Sequence, residues 1–146
     1  MLEQTLAILG PEASAYNVVI EARLSEDYVV QGNHMQIAQA LVNLIRNAIS
    51  ALASTDSKNR SIFVEATGHD GRVVISVEDN GPGFPDFIKP FAAFETTSAD
   101  GLGLGLSICK SLVEANKGTI THAQGAMAGA RFEIALPGGR KSKGTS

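Results

Sequence analysis

The sequence predicts an α/β fold: a two-layer sandwich in which a mixed sheet carries helices packed on one face. Three observations lead there. Apolar residues recur at helical spacing over residues 34–53 and again at Leu104, Ile108, Leu112 and Ala115. Between them, Ile62, Val64 and Ala66 and then Val73, Ile75 and Val77 alternate at strand spacing around the turn His69-Asp70-Gly71. The element order is helix, strands, helix, hairpin, loop, helix, hairpin, which is not the strict alternation of a doubly wound parallel sheet.

Taken in order, Leu2, Leu6 and Leu9 share a face of an opening helix. Gly10-Pro11 is expected to interrupt it, with a short helical stretch to about Ala15, so that residues 1–15 form a junction helix. Val18, Val19, Ile20, Ala22 and Leu24 read as a strand. Tyr28-Val29-Val30 reads as a short partner to it, ended by Gly32. Asn33 can cap the next helix, with Gln36 three residues on in a weak variant of the capping box. On that helix Ile37, Leu41, Leu44, Ala48 and Leu52 share one face. Gln36, Gln39, Asn43, Asn47 and Ser50 share the opposite one within an arc of roughly 80°. Residues 81–103 are irregular, and a loop that long in a compact domain is functional or mobile. The second long helix ends near Lys117-Gly118. Residues 119–124 and 130–136 read as a closing hairpin around 125–129, and 138–146 as a disordered tail.

A chain of 146 residues is long enough for one domain with a sizeable core. A net charge of −3 leaves no basic footprint for nucleic acid. The single cysteine, Cys109, has no internal disulfide partner, which suits a reducing compartment. There is no run of eighteen apolar residues and no signal-peptide pattern, so a cytoplasmic chain is expected.

Three features carry chemistry. Asp79 ends a strand and precedes a glycine turn; a carboxylate there can accept from an amino group such as the exocyclic amine of adenine. Gly81 and Gly83 would let the backbone approach a flat ring. Alone, these residues read equally well as a plain turn. Asn43 and Asn47 stand one helical turn apart, so their amides point the same way. An amide oxygen is a hard neutral ligand suited to magnesium, although a solvated polar face would look the same. Gly101, Gly103 and Gly105 precede the second helix, where free N–H groups attract phosphate. They lack the P-loop and dinucleotide-fold spacings. His34, His69 and His122 are scattered surface positions, and with one cysteine they make no zinc site.

Taken together, Asn43-Leu-Ile-Arg-Asn47-Ala48 resembles the N box of the Bergerat-fold ATP-binding family, which includes gyrase, the Hsp90 chaperones, histidine kinases and the mismatch-repair MutL proteins. Asp79-Asn-Gly81-Pro-Gly83 resembles its G1 box, Phe91-Ala-Ala-Phe94-Glu-Thr96-Thr97 its F box, Gly101 to Leu106 its G2 box, and Gly129-Ala-Arg-Phe132 its closing Gly-Thr-x-Phe element. The match runs from about residue 30 to 136, in the family's order. Within the family the chain is similar to the catalytic ATP-binding domain of two-component sensor histidine kinases, in the branch sensing nitrogen status, oxygen or C4-dicarboxylates.

The resemblance implies ATP and Mg2+ as ligands and residues 16–137 as the ATP-binding domain. Asp79 would hold the adenine amine, Asn47 the magnesium, and Asn43 would lie near the phosphates. It implies further nucleotide contacts from Gly81, Gly83, Phe84, Thr96, Thr97, Gly101, Leu102, Gly103, Leu104, Gly105 and Leu106, with 84–100 a short ATP lid. Family ATPases carry a glutamate general base where this chain has Asn43, so efficient hydrolysis is not expected; phosphoryl transfer remains. Ser50 and Ser98 stand where many members carry a cation, which leaves Arg46 and Lys110 as phosphate-contact candidates.

No histidine here has the context of a phosphoacceptor. The implied partners are therefore the dimerisation and phosphoacceptor domain of the same kinase and, indirectly, a response regulator. The chain then reads as a monomeric fragment beginning just after the missing hairpin, from a parent that an inner-membrane anchor would suit. Two other readings share the fold. A stand-alone anti-sigma-factor serine kinase fits the length, but Asn43 in place of glutamate counts against it. A non-catalytic docking module is favoured by the missing cations and opposed by Asn47, Asp79 and both glycine boxes.

Overall fold

A computed structural model describes residues 2–25, 27–81, 102–124 and 129–140. Among these residues the chain forms α1 (Leu2–Ala15), β1 (Val18–Leu24), β2 (Tyr28–Val30), α2 (His34–Ala53), β3 (Arg60–His69), β4 (Arg72–Asp79), α3 (Leu102–Ala115), β5 (Thr119–Gln124) and β6 (Ala130–Arg140). The strands make one sheet in the order β1-β3-β4-β6-β2, with β5 also paired to β6. β1 runs parallel to β3 and every other pair is antiparallel, so the sheet is mixed, with the helices on one face as the sequence predicts.

Local chemistry explains the central elements. Asn33 is extended (φ −80°, ψ 106°), and its side chain accepts from the Gln36 N–H at 3.1 Å, capping α2. The buried face of α2 is wider than the predicted stripe, because Ala40, Ile45 and Ile49 join Ile37, Leu41, Leu44, Ala48 and Leu52. These residues form one core with Ile62, Val64 and Ala66 of β3, Val73, Ile75 and Val77 of β4, and Phe132, Ile134 and Leu136 of β6. β3 and β4 are joined through Asp70 (φ 50°) and Gly71 (φ 75°). Two consecutive positive φ values are the mark of the type I′ turn that matches strand twist.

Four expectations are corrected. α1 is continuous through Gly10-Pro11, because its buried residues Thr5, Leu9 and Ala13 recur every four positions across the break. That packing outweighs the single helical hydrogen bond Pro11 cannot donate. β2 does not pair with β1; it pairs with the end of β6, Tyr28 opposite Arg140 and Val30 opposite Gly138. Glycine makes that approach possible, since a Cβ on Gly138 would lie 2.7 Å from the Val29 carbonyl oxygen and a Cβ on Gly68 would enter the Tyr28 ring. β6 therefore continues to Arg140, past the predicted start of the tail at 138, and 141–146 lie outside the described residues. Finally, α3 starts at Leu102, so Gly103 and Gly105 belong to its first turns and do not precede it. Its inward face is Leu106, Cys109 and Val113, whereas Ile108 is 44% exposed.

Candidate nucleotide site

Strand parity places the key carboxylate. The alternation that buries Val73, Ile75 and Val77 on the helix side brings Asp79, two residues further, to the same side. Asp79 is only 5% exposed. Its Oδ1 accepts from the Gly81 N–H at 2.9 Å and the Ala130 N–H at 3.3 Å. Oδ2 carries no bond among the described residues. Burial raises the Asp79 pKa above its ordinary value; the two backbone N–H groups pull it down, and the neighbouring Glu78 charge pushes it up.

The turn around Asp79 is pinned on three sides. Asn80 donates through Nδ2 to the Asn59 carbonyl at 2.9 Å and accepts through Oδ1 from the Ser61 N–H at 2.9 Å, extending the β3–β4 ladder beyond Asp79. Above the turn, a Cβ on Gly81 would lie 3.3 Å from Leu52 Cδ2, so the last turn of α2 closes over it. Just before β6, Gly129 presses on Asp79: a Cβ there would run into the Asp79 carbonyl and Oδ1. Sequence reasoning missed Asn80 and Ala130 as site residues. Asn80 reads as one more turn former, and Ala130 acts through its backbone, which leaves no side-chain signature.

Asn43 and Asn47 are half-buried on α2. The Asn47 Nδ2 is buried without a hydrogen-bond partner among the described residues. An unsatisfied buried amide costs about 1–3 kcal/mol, and a half-turn about the terminal bond would put the amide oxygen in its place. The amide therefore suits a polar ligand, and its oxygen suits magnesium. Arg46 lies beside this stripe, with its side chain turned to α1. Its Nε bonds Glu12 Oε2 at 3.0 Å in an exposed ion pair that ties α2 to α1. Lys110 is exposed on α3 next to the buried Cys109, and nothing among the described residues ties it to the site. Leu102, Gly103, Leu104 and Gly105 lie in the opening turns of α3, and Leu106 is 1% exposed in the core. Gly83, Phe84, Thr96, Thr97 and Gly101 lie outside the described residues.

The two helices are fastened by a residue the motifs do not include. Asn116, just past α3, accepts through Oδ1 from the Asn33 N–H at 2.7 Å and donates through Nδ2 to Gln36 Oε1 at 3.0 Å and the Leu112 carbonyl at 2.8 Å. The start of the asparagine helix is thus held by the end of the glycine helix. His34, His69 and His122 are all exposed. The described residues hold no group of three or more His, Cys, Asp or Glu arranged for a metal, and no described helix is long and apolar enough to cross a membrane.

An aspartate closing a core strand, an unpartnered amide on the neighbouring helix and glycines where backbones meet define a nucleotide-binding α/β sandwich. The family described as histidine kinase-, DNA gyrase B-, and HSP90-like ATPase matches residues 32–140, and the chain belongs to it. The C4-dicarboxylate transport sensor protein DctS of Rhodobacter capsulatus is 35% identical over 143 residues, 94% of this chain and 21% of that protein. The chain thus spans about a fifth of the length of that relative. The catalytic domain of histidine kinase ThkA, in a nucleotide-free form, superposes with a TM-score of 0.80 at 28% identity, covering 92% of this chain and 88% of that one. Full-length ShkA in complex with AMPPNP gives a TM-score of 0.80 at 28% identity, covering 97% of this chain and 30% of that one.

Proposed function

We propose that this domain binds magnesium–ATP and presents its γ-phosphoryl group to a histidine on a separate domain of a two-component sensor kinase. The observation that carries the reading is Asp79: a buried carboxylate whose bonds from the described residues both fall on Oδ1, leaving Oδ2 to accept the exocyclic amine of adenine. Gly81 and Gly129 keep side chains away from that carboxylate. Asn47 holds magnesium through its amide oxygen, and Asn43 lies one turn before it, near the phosphates. When bound, magnesium neutralises the charge on the phosphates during transfer. The N–H groups opening α3 favour phosphate oxygens. Gly83, Phe84, Thr96, Thr97 and the segment from Gly101 to Leu106 complete the nucleotide contacts.

Asn43 decides what becomes of the phosphoryl group. An amide cannot take a proton from water, so this helix supplies no general base for hydrolysis. The phosphoryl group is kept for an imidazole that brings its own lone pair. The acceptor sits on the dimerisation and phosphoacceptor domain of the same kinase, a response regulator follows, and the domain works in the cytoplasm as a monomeric unit. The similarity to sensor kinases supports this reading over a serine kinase of the same fold.

Labelled ATP tests it. With magnesium and ATP carrying a γ-phosphate label, the chain alone takes up no label, and it transfers acid-labile label to a phosphoacceptor hairpin supplied in trans or by fusion. Stable label on the chain itself, or rapid release of phosphate without an acceptor, contradicts the proposal.

A further inference from the structure

The ends of two helices converge on one guanidinium that belongs to none of the motifs. Arg60 opens β3 with the parity of Ile62 and Val64, so its side chain points to the helix side of the sheet. Its Nη1 donates to the carbonyl of Tyr16, just past α1, at 2.7 Å. Its Nη2 donates to the Thr55 carbonyl at 2.8 Å and reaches that of Ala53, the last residue of α2, at 3.5 Å. Among the described residues these carbonyls take every bond it makes, and its Nε is buried without a partner. Neither α1 nor α2 carries a basic residue in its last turn. Arg60 therefore supplies, from outside both helices, the cation that their C-terminal ends favour.

The peptide groups on either side of Arg60 hold the other half of the site. Asn80 accepts from the Ser61 N–H and donates to the Asn59 carbonyl, both at 2.9 Å, and its own N–H donates to the Ser61 carbonyl at 3.2 Å. Asn80 follows Asp79, and Leu52 at the end of α2 lies over Gly81. The side chain of Arg60 thus reaches the helix that carries Asn43 and Asn47, while its neighbours' backbone grips the turn that carries Asp79.

We propose that Arg60 is a positioning residue for the nucleotide site: it pins the end of α2 to the start of β3 and so fixes how the amide helix stands against the Asp79 turn. This rests on the reading that Asp79 receives the adenine amine and Asn47 the magnesium. The planar fork matters, because it serves carbonyls from two helix ends at once; a lysine ammonium brings the charge without the fork.

AMPPNP binding is measured by calorimetry on the whole chain, with and without magnesium, for the unaltered protein, Arg60→Gln, Arg60→Lys and Asp79→Asn, at a temperature where a thermal melt shows each to be folded. The quantity read is the ratio of the two affinities. A purely structural loss lowers both alike and leaves the ratio unchanged. Arg60→Gln should weaken magnesium–AMPPNP binding roughly tenfold, the low end of what losing a residue that supports a metal ligand costs. Magnesium-free binding should fall much less, so the ratio drops. Arg60→Lys should recover part of the melting temperature but not the ratio. Amide hydrogen exchange on the nucleotide-free chain gives a second readout: in Arg60→Gln the Thr55 and Gly81 N–H groups should exchange faster, while the opening turn of α2 is unchanged.

The inference is overturned if Arg60→Gln keeps the ratio, if Arg60→Lys keeps it, or if exchange at Thr55 and Gly81 does not change. Should Arg60→Gln fail to fold, the ratio and the exchange in Arg60→Lys decide by the same criteria. Asp79→Asn binding like the unaltered chain, or an unaltered chain whose binding ignores magnesium, would overturn the nucleotide reading itself, a result separable from failure of the Arg60 arm alone.

Discussion

Replacing Asn116 with alanine tests how the two site helices are joined. The side chain accepts from Asn33, donates to Gln36 and donates to Leu112, at 2.7, 3.0 and 2.8 Å, and the residue is 8% exposed. Three hydrogen bonds at about 1 kcal/mol each suggest a loss near 3 kcal/mol. Asn33 is exposed and Gln36 half-buried, so water regains part of those two, leaving about 2 kcal/mol. For a chain of this length that lowers Tm by about 6 °C. Urea unfolding followed by circular dichroism measures the free energy, and amide hydrogen exchange locates it: protection should fall first over the opening turn of α2. Asn116→Asp retains the acceptor beside the N-terminus of α2, where negative charge is favoured, but loses both donors. It should fall between the alanine variant and the original. If Asn116→Ala stays within about 0.5 kcal/mol, the spread usual for substitutions at unimportant surface positions, and exchange over α2 is unchanged, the tie between the helices is not what sets the start of α2.

Three further outcomes are expected. Gly129→Ala drives a Cβ into the Asp79 carbonyl and Oδ1, so calorimetry should show AMPPNP affinity falling more than the melting temperature would suggest, with the circular dichroism spectrum intact. Asp79→Asn should stabilise the nucleotide-free chain at neutral pH. Burial raises the folded pKa of Asp79 above its ordinary carboxylate value, so protonation favours the folded state. The stability that protonation confers is present below the unfolded value and lost as pH rises through the folded one. The gain from Asn should therefore shrink as pH falls through that window, as thermal melts at a series of pH values will read. Cys109, fully buried and with its thiol pushed up to about 12, should resist a thiol reagent in the native chain and react at the rate of unfolding.

Much of the fold was legible because its central elements obey local rules. Asn33 caps α2 as its position suggests, the alternations at 62–66 and 73–77 are core-facing strands, and Asp70-Gly71 takes the turn conformation those residue types favour. What escaped depends on partners distant in the chain. Nothing near Tyr28 says that its strand completes β6, because the decisive fact is the closeness allowed by Gly68 and Gly138. Pro11 predicts a break, and only the packing of Leu9 and Ala13 on either side overrides it. Arg46 lies beside the amide stripe in sequence, yet its side chain reaches across to Glu12. In the site, Asp79 and the asparagine pair announce themselves by residue type. Asn80 and Asn116 hold backbone groups far along the chain, the Ala130 backbone N–H reaches the distant Asp79 side chain, and no spacing rule reports those contacts.

Calorimetric titration of AMPPNP into this chain and into Asp79→Asn, each with and without magnesium, tests the central claim most directly. The account predicts binding that strengthens with magnesium and collapses in the variant while the variant stays folded. A folded chain that binds nothing at millimolar analogue, or binds equally well with asparagine at position 79, would contradict it and favour a docking module of the same fold.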